Sequence, residues 1–156
     1  MEKTNNVDIL TQIRLVINSN NVICNMTILV AAAVIQKNGK FLIAKRASHK
    51  HLAGFWEFPG GKIEPNESAE DCLIRELYEE LRIKVKIVHF LAKNIHDYGT
   101  MRISLSAYLC SFVDGDFTLV DHDEIRWVAF SEIGQYNLAP ADIPLLKAIE
   151  NINIFF

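Results

Sequence analysis

Glu76, Glu79 and Glu80 stand at i, i+3 and i+4, a spacing that places all three carboxylates on one face of an α-helix. Like charges at that spacing repel and weaken an isolated helix. Such a set is either left in solvent or used to hold a cation. Hard oxygen donors of this kind suit a divalent ion such as Mg²⁺, which takes a few carboxylates and keeps room for phosphate oxygens. The residues just upstream favour the second use. Glu57-Phe58-Pro59-Gly60-Gly61-Lys62 is a turn whose two glycines leave the backbone open to a ligand.

The elements that must position these groups can be read around them. Ser68 is a good N-cap, with Glu70 and Asp71 in the first turn, where the helix dipole favours acids. Leu73, Leu77 and Leu81 recur every four residues and form an apolar stripe. The pattern predicts a helix over 68–81 with its carboxylate edge turned toward the glycine turn. Upstream, apolar residues 27–36 and 40–46 flank Lys37-Asn38-Gly39-Lys40, a hairpin signal. Strands are expected near 84–93 and 101–113, split by His96-Asp97-Tyr98-Gly99, and again at 125–129. Short helices are expected after Ser131 and over 141–150. Strands mixed with a few helices indicate an α/β (α+β) layered fold.

The spacing Gly61, five residues, Glu67, seven residues, Arg75-Glu76-Leu77, one residue, Glu79-Glu80, closing on Ile83, resembles the Nudix box. The resemblance covers roughly residues 27–150, and IAKRASHKHLAGFWEFPGGKIE is similar to the MutT branch of that family. It implies a mixed sheet sandwiched between helices and a Mg²⁺-dependent hydrolase (Mn²⁺ a possible substitute) of nucleoside triphosphates, releasing pyrophosphate. Implied metal ligands are the Gly60 carbonyl, Glu79, Glu80 and, from the distant stretch Asp121-His122-Asp123, Asp121. The position of Glu76 is ligand or general base, and we read it as base with some metal contact. Arg75 belongs to the catalytic set as the group that orients a carboxylate, with Glu67 in a similar supporting role. Arg46, His51, Glu57, Phe58 and Lys62 fall on substrate positions. Leu138-Ala139-Pro140-Ala141-Asp142 resembles the base-recognition end of members that act on CTP. Ionised, Asp142 would only accept hydrogen bonds and so suit an exocyclic amine such as that of cytosine. Alternatively it caps the last helix. An arginine of the family's middle strand falls at Met101, next to Arg102, and is unassigned. Phe55, Trp56 and Phe58 read as partly core. The sequence departs from the family at Arg82, where a glycine is expected for a left-handed helix end. Keeping that backbone with Arg costs on the order of 1 kcal/mol.

Substrates in view are 8-oxo-dGTP and CTP or dCTP. Hydrolysis of another nucleoside diphosphate derivative such as ADP-ribose is a second reading, and a non-catalytic nucleotide-binding module a third. The intact glutamate set weighs against the third.

Composition sets outer bounds. The chain has 156 residues and a net charge of −3 from 16 basic and 19 acidic residues. That length fits one domain, and the balance, with no Lys/Arg block, argues against a nucleic-acid polymer as partner. Cys24, Cys72 and Cys110 lack paired spacing and read as reduced thiols of a cytoplasmic protein. The apolar run Ile28–Ile35 is far too short for a membrane span. Residues 1–25 are an extension ahead of the domain at 26–156, either a short helix or sequence upstream of the native start at Met26.

Overall fold

The computed structural model describes residues 13–18 and 21–152, with side chains described for 26–152. Eight strands form one mixed sheet: β1 Ile13–Asn18, β2 Asn21–Lys37, β3 Lys40–Arg46, β4 Trp56–Glu57, β5 Gly60–Lys62, β6 Ile83–Asp97, β7 Met101–Gly115 and β8 His122–Val128. The helices are α1 Ala69–Leu81, α2 Phe130–Ile133 and α3 Leu145–Glu150. The central order is β4-β3-β2-β7-β6, with β1 and β5 paired to β2 and β8 to β3. β2 and β7 run parallel and the other pairs are antiparallel.

β2 explains the layering. Its side chains alternate between faces. Ala31, Ala33 and Ile35 join Cys72, Leu73, Leu77 and Leu81 of α1 in one buried cluster. Ala32 and Val34 join Trp56, Phe58, Leu105, Ile133, Leu145 and Ile149 in the other. The sheet therefore lies between α1 on one side and α2 and α3 on the other, the sandwich that the family resemblance implies. The β2–β3 hairpin turns at Asn38 (φ 51°) and Gly39 (φ 71°), the left-handed pair that two-residue hairpins require.

Helix α1 is set as its residues dictate. The Ser68 hydroxyl accepts from the Asp71 N–H at 3.0 Å, and the four buried residues Cys72, Leu73, Leu77 and Leu81 all face the sheet.

Several expectations need correction. Residues 13–18 form a strand, not a helix; residues 1–12 and the Cys24 side chain lie outside the described residues. Strand β6 continues to Asp97, four residues further than expected, because its pairing with β7 persists to Asp97↔Arg102. The capping residue of α2 is Ala129, whose N–H donates to the Glu132 carboxylate at 2.9 Å, and Ser131 lies inside the helix. The last helix begins only at Leu145, after Pro144. The Asp142 carboxylate does not cap it and turns into the core instead.

Arg82 ends α1 with φ 58° and ψ 31°, so the left-handed turn is kept despite its side chain. Its guanidinium lies over the Tyr78 ring at 5.1 Å. Relief of the left-handed strain at ~1 kcal/mol against loss of an exposed cation–π contact at ~0.5 kcal/mol predicts that Arg82→Gly is slightly more stable than the parent. Arg82→Ala keeps the strain and loses the contact, so it should be the least stable. Urea unfolding of the three proteins tests the order.

Candidate active site

The glycine turn and α1 meet because neither glycine has a side chain. A Cβ on Gly60 would lie 2.0 Å from the Ala31 carbonyl oxygen, and one on Gly61 would lie 2.2 Å from the Glu76 carboxyl carbon. The turn is therefore pressed between strand β2 and Glu76. Backbone pairing of Ala32 with Gly60 and a 2.8 Å bond from the Ala33 N–H to the Pro59 carbonyl hold it there.

Arg75 ties the loop to the helix. Its Nε and Nη2 donate to the two oxygens of Glu67 at 2.6 and 2.9 Å, a forked charge-assisted pair. Its Nη1 donates to Glu76 at 2.7 Å and to Glu79 at 3.3 Å, and Nη2 reaches the Lys62 carbonyl at 3.3 Å. The Arg75 hydrogen bonds, with a further one from the Glu64 N–H, hold the Glu67 carboxyl down to about 2. One cation thus organises three carboxylates, and Glu67 and Arg75 act on the site through Glu76.

Glu80 faces the other way, toward Asp121. Burial first, then a hydrogen bond with Asp121 and the charges of Glu76, Asp121 and Glu57, push its carboxyl up to about 8. Asp121 accepts from Lys50 Nζ at 2.8 Å, and that bond leads the effects that lower its pKa. Asp121 therefore reaches the glutamate edge as expected, by way of Glu80 alone. Glu79 is 57% exposed and points outward. Among the described residues, no three His, Cys, Asp or Glu side chains converge closely enough to hold an ion as they stand. The donor chemistry nevertheless fits a hard divalent cation: two carboxyls share a proton where a bound ion would let both ionise.

Beside this edge lies a cavity of about 210 Å³, open to the glycine turn. All six expected substrate residues, Arg46, His51, Glu57, Phe58, Lys62 and Asp142, line it. Glu57 joins cavity and carboxylate edge. One of its oxygens accepts from Arg46 Nη1 at 2.7 Å and the other bonds His122 Nε2 at 2.9 Å. Arg46 Nε also donates to the His51 carbonyl at 2.6 Å. Lys62 makes no ion pair among the described residues. Phe58 is 2% exposed and belongs mainly to the core, as does Trp56. Arg102 pairs with Asp97 at 3.1 Å in the β6–β7 turn, and neither it nor Met101 lines the cavity.

Asp142 forms the polar end of the cavity. One carboxyl oxygen accepts from the Phe58 N–H at 3.0 Å. Burial, reinforced by the Glu57 charge, pushes the group up to about 8. At neutral pH it is therefore mostly protonated and both donates and accepts, which corrects the picture of an acceptor-only carboxylate.

Two groups escaped the sequence reading. His122, 5% exposed, was visible only as a neighbour of Asp121, yet it fixes Glu57. Tyr98, assigned to a turn, lines the cavity edge-on to His51, with ring centroids 5.6 Å apart. Nothing in their local sequence distinguishes them, since both contacts cross between distant elements.

Mixed sheet, glycine turn and glutamate helix together place a carboxylate-rich helix face against a turn that lines a cavity of about 210 Å³. Residues 30–148 match the family described as NUDIX domain. The CTP pyrophosphohydrolase of Escherichia coli (strain K12) is 41% identical over 119 residues, 76% of this chain and 88% of that protein. The 8-oxo-dGTP diphosphatase of Proteus vulgaris is 46% identical over 81 residues, 51% of this chain and 72% of that protein. The solution structure of the E. coli ORF135 protein has a TM-score of 0.72 at 39% identity, covering 83% of this chain and 93% of that one. The chain belongs to the Nudix hydrolase family and is a MutT-type nucleotide pyrophosphohydrolase. Nudix hydrolases act on small nucleotide substrates and generally use divalent metal ions. Among the described residues, no helix is long and apolar enough to cross a membrane.

The raised Glu80 pKa makes a signed prediction. Protonated in the fold but ionised at ordinary pH when unfolded, this group adds stability that is full below 4.5 and lost as pH rises through about 8. A divalent cation needs the ionised form and competes with that proton. Millimolar Mg²⁺ should therefore raise the melting temperature, and more at about pH 8.5 than at about pH 6.5. Thermal scans with and without the ion check both the shift and its pH trend.

Proposed function

We propose that residues 26–156 form a Mg²⁺-dependent enzyme that hydrolyses a cytidine-type triphosphate (CTP or dCTP) or 8-oxo-dGTP to the monophosphate and pyrophosphate. Its role would be the removal of unwanted nucleotides from the cytoplasmic pool, with no nucleic-acid polymer as partner. One observation carries the reading: the buried Asp142 lines a base-sized cavity together with Gly60 and Gly61, the turn that packs against Glu76 of α1. The names of the two relatives above support the same pair of bases. The domain limit draws support from sheet pairing between β2 and β7, which starts at Met26↔Met101.

A neutral carboxyl offers an O–H donor beside a carbonyl acceptor. Cytosine presents N3, an acceptor, beside its N4 amine, and the guanine family presents O6 beside N1–H. Either edge can pair with Asp142 through two hydrogen bonds, whereas an ionised carboxylate would only accept, from the cytosine amine or the guanine N1–H, and leave N3 or O6 without a donor. Arg46 is already committed to Glu57 and the His51 carbonyl, so its task is to shape the cavity wall. Lys62, which lines the cavity and makes no ion pair among the described residues, would meet a phosphate. Glu80, Glu79, Asp121 and the Gly60 carbonyl would hold the ion, with Glu76 in contact. A divalent ion held there would supply charge neutralisation on the phosphoryl oxygens and would favour ionisation of an attacking water. Glu76, steadied by Arg75, accepts the proton of that water as its oxygen attacks phosphorus and the pyrophosphate leaves. Holding water and phosphate in line is most of what such a reaction asks of a protein.

Incubation with Mg²⁺ and CTP, dCTP, 8-oxo-dGTP, dGTP, UTP and ADP-ribose tests the reading, with pyrophosphate and phosphate assayed separately. Pyrophosphate from a cytidine triphosphate or 8-oxo-dGTP far above the others is the expected outcome. Cleavage of ADP-ribose alone would overturn it. Glu80→Gln should lower kcat by about 10²-fold or more, because it removes charge at the reacting phosphate, while the melting temperature without cation does not fall.

Asp142 adds a pH signature. Its O–H is present below about 8 and lost above it, so KM for the preferred base should rise as pH passes that value. Asp142→Asn keeps a donor and an acceptor at every pH and should flatten that rise while leaving the order of preferred bases at neutral pH unchanged.

A further inference from the structure

The segment that carries Asp142 is tied down at three places. At its start, the Ala139 N–H donates to the Trp56 carbonyl at 2.7 Å. At its end, the Asp142 carboxyl accepts from the Phe58 N–H at 3.0 Å. Between them Ala141 is buried, 5% exposed, in a stretch that belongs to no helix or strand. A buried backbone N–H and C=O must find partners or cost stability. Both partners here are side chains from the far edge of the sheet. Asn94 Nδ2 on β6 donates to the Ala141 carbonyl at 3.0 Å, and the Tyr98 hydroxyl, just past the end of β6, accepts from the Ala141 N–H at 3.3 Å.

The end of β6 is built to hold these two groups still. The Tyr98 N–H donates to the Met101 carbonyl at 2.8 Å, and the Gly99 N–H donates to Asp97, which also pairs with Arg102. The Tyr98 ring packs edge-on against His96 (4.4 Å) and His51 (5.6 Å). The same ring lines the cavity. Asn94 and Tyr98 thus reach across some forty residues of chain to clasp the peptide unit next to Asp142.

We infer that Asn94 and Tyr98 are positioning residues for base selection: by clasping both polar groups of Ala141 they fix the Asp142 carboxyl at the depth and angle at which it reads the donor–acceptor edge of the base. The inference rests on the reading of Asp142 given above and adds to it the residues that set its geometry. The clasp should serve the base and not the phosphates, since the glycine turn has its own anchors on β2 at Ala32 and Ala33.

Asn94→Asp is nearly isosteric but removes the donor, and Tyr98→Phe keeps the ring but removes the acceptor. Steady-state kinetics of wild type and both variants on CTP, dCTP, 8-oxo-dGTP, UTP and base-free ribose 5-triphosphate separate the possibilities. The expected result is a loss of about tenfold in kcat/KM for the preferred base, carried by KM, with hydrolysis of ribose 5-triphosphate unchanged; the size is that of one well-placed hydrogen bond. An equal loss on every substrate, the base-free one included, would reduce the clasp to general stability and overturn the inference. No change in preference in Tyr98→Phe, which retains the packing and so remains testable if Asn94→Asp does not fold, would overturn it as well. A wild-type protein that hydrolyses no triphosphate, or hydrolyses all of them alike, overturns the reading of Asp142 and this inference with it. Strong wild-type preference left intact in both variants overturns the inference alone.

Discussion

The site depends on one guanidinium. Arg75 gathers Glu67, Glu76 and Glu79 and touches the Lys62 carbonyl, so the loop before α1 and the carboxylate face of α1 become one rigid unit. Without a cation at that point, the i, i+3, i+4 glutamates would spread apart by repulsion. With it, Glu76 is presented against Gly61 at a distance that tolerates no Cβ. Arg75 does this from a partly exposed position, where its value lies in the fork geometry that matches two carboxylate oxygens at once. A lysine would supply the charge without the direction.

A second constraint runs through Glu57. It stands between Arg46 and His122, and its charge is felt by both Glu80 and Asp142. The carboxyls of Glu80 and Asp142 therefore do not titrate independently of Glu57. Each is pushed up to about 8, and in each burial is the leading cause. In the proposed reading a cation would displace the proton at Glu80, while the proton at Asp142 would turn an acceptor into a donor–acceptor pair for the base.

Chain order determined the local pieces. The period of Leu73, Leu77 and Leu81, the Ser68 cap, the Asn38-Gly39 turn and the glutamate face were legible because each involves neighbours within about one or two helical turns or one hairpin. The layered fold followed from them, and the residues between Arg46 and Lys62 that line the cavity were singled out through motif resemblance. The errors fell where pairing with a distant strand overrides local preference. Residues 13–18 have an apolar tendency that reads as helix, and β2 recruits them as a strand. The last helix starts at Leu145 because Pro144 and the turns of Ala139–Asp142 precede it.

Tertiary structure alone decided the protonation of Asp142, the pairing of Glu80 with Asp121, the hold of His122 on Glu57 and the clasp of Ala141 by Asn94 and Tyr98. Each of these depends on how far a group is removed from water or on which remote element it meets, and sequence spacing encodes neither. The residue types and their local periods are properties of the chain. The depth at which a carboxyl is buried, and hence whether it carries a proton, exists only once the sheet has closed over it.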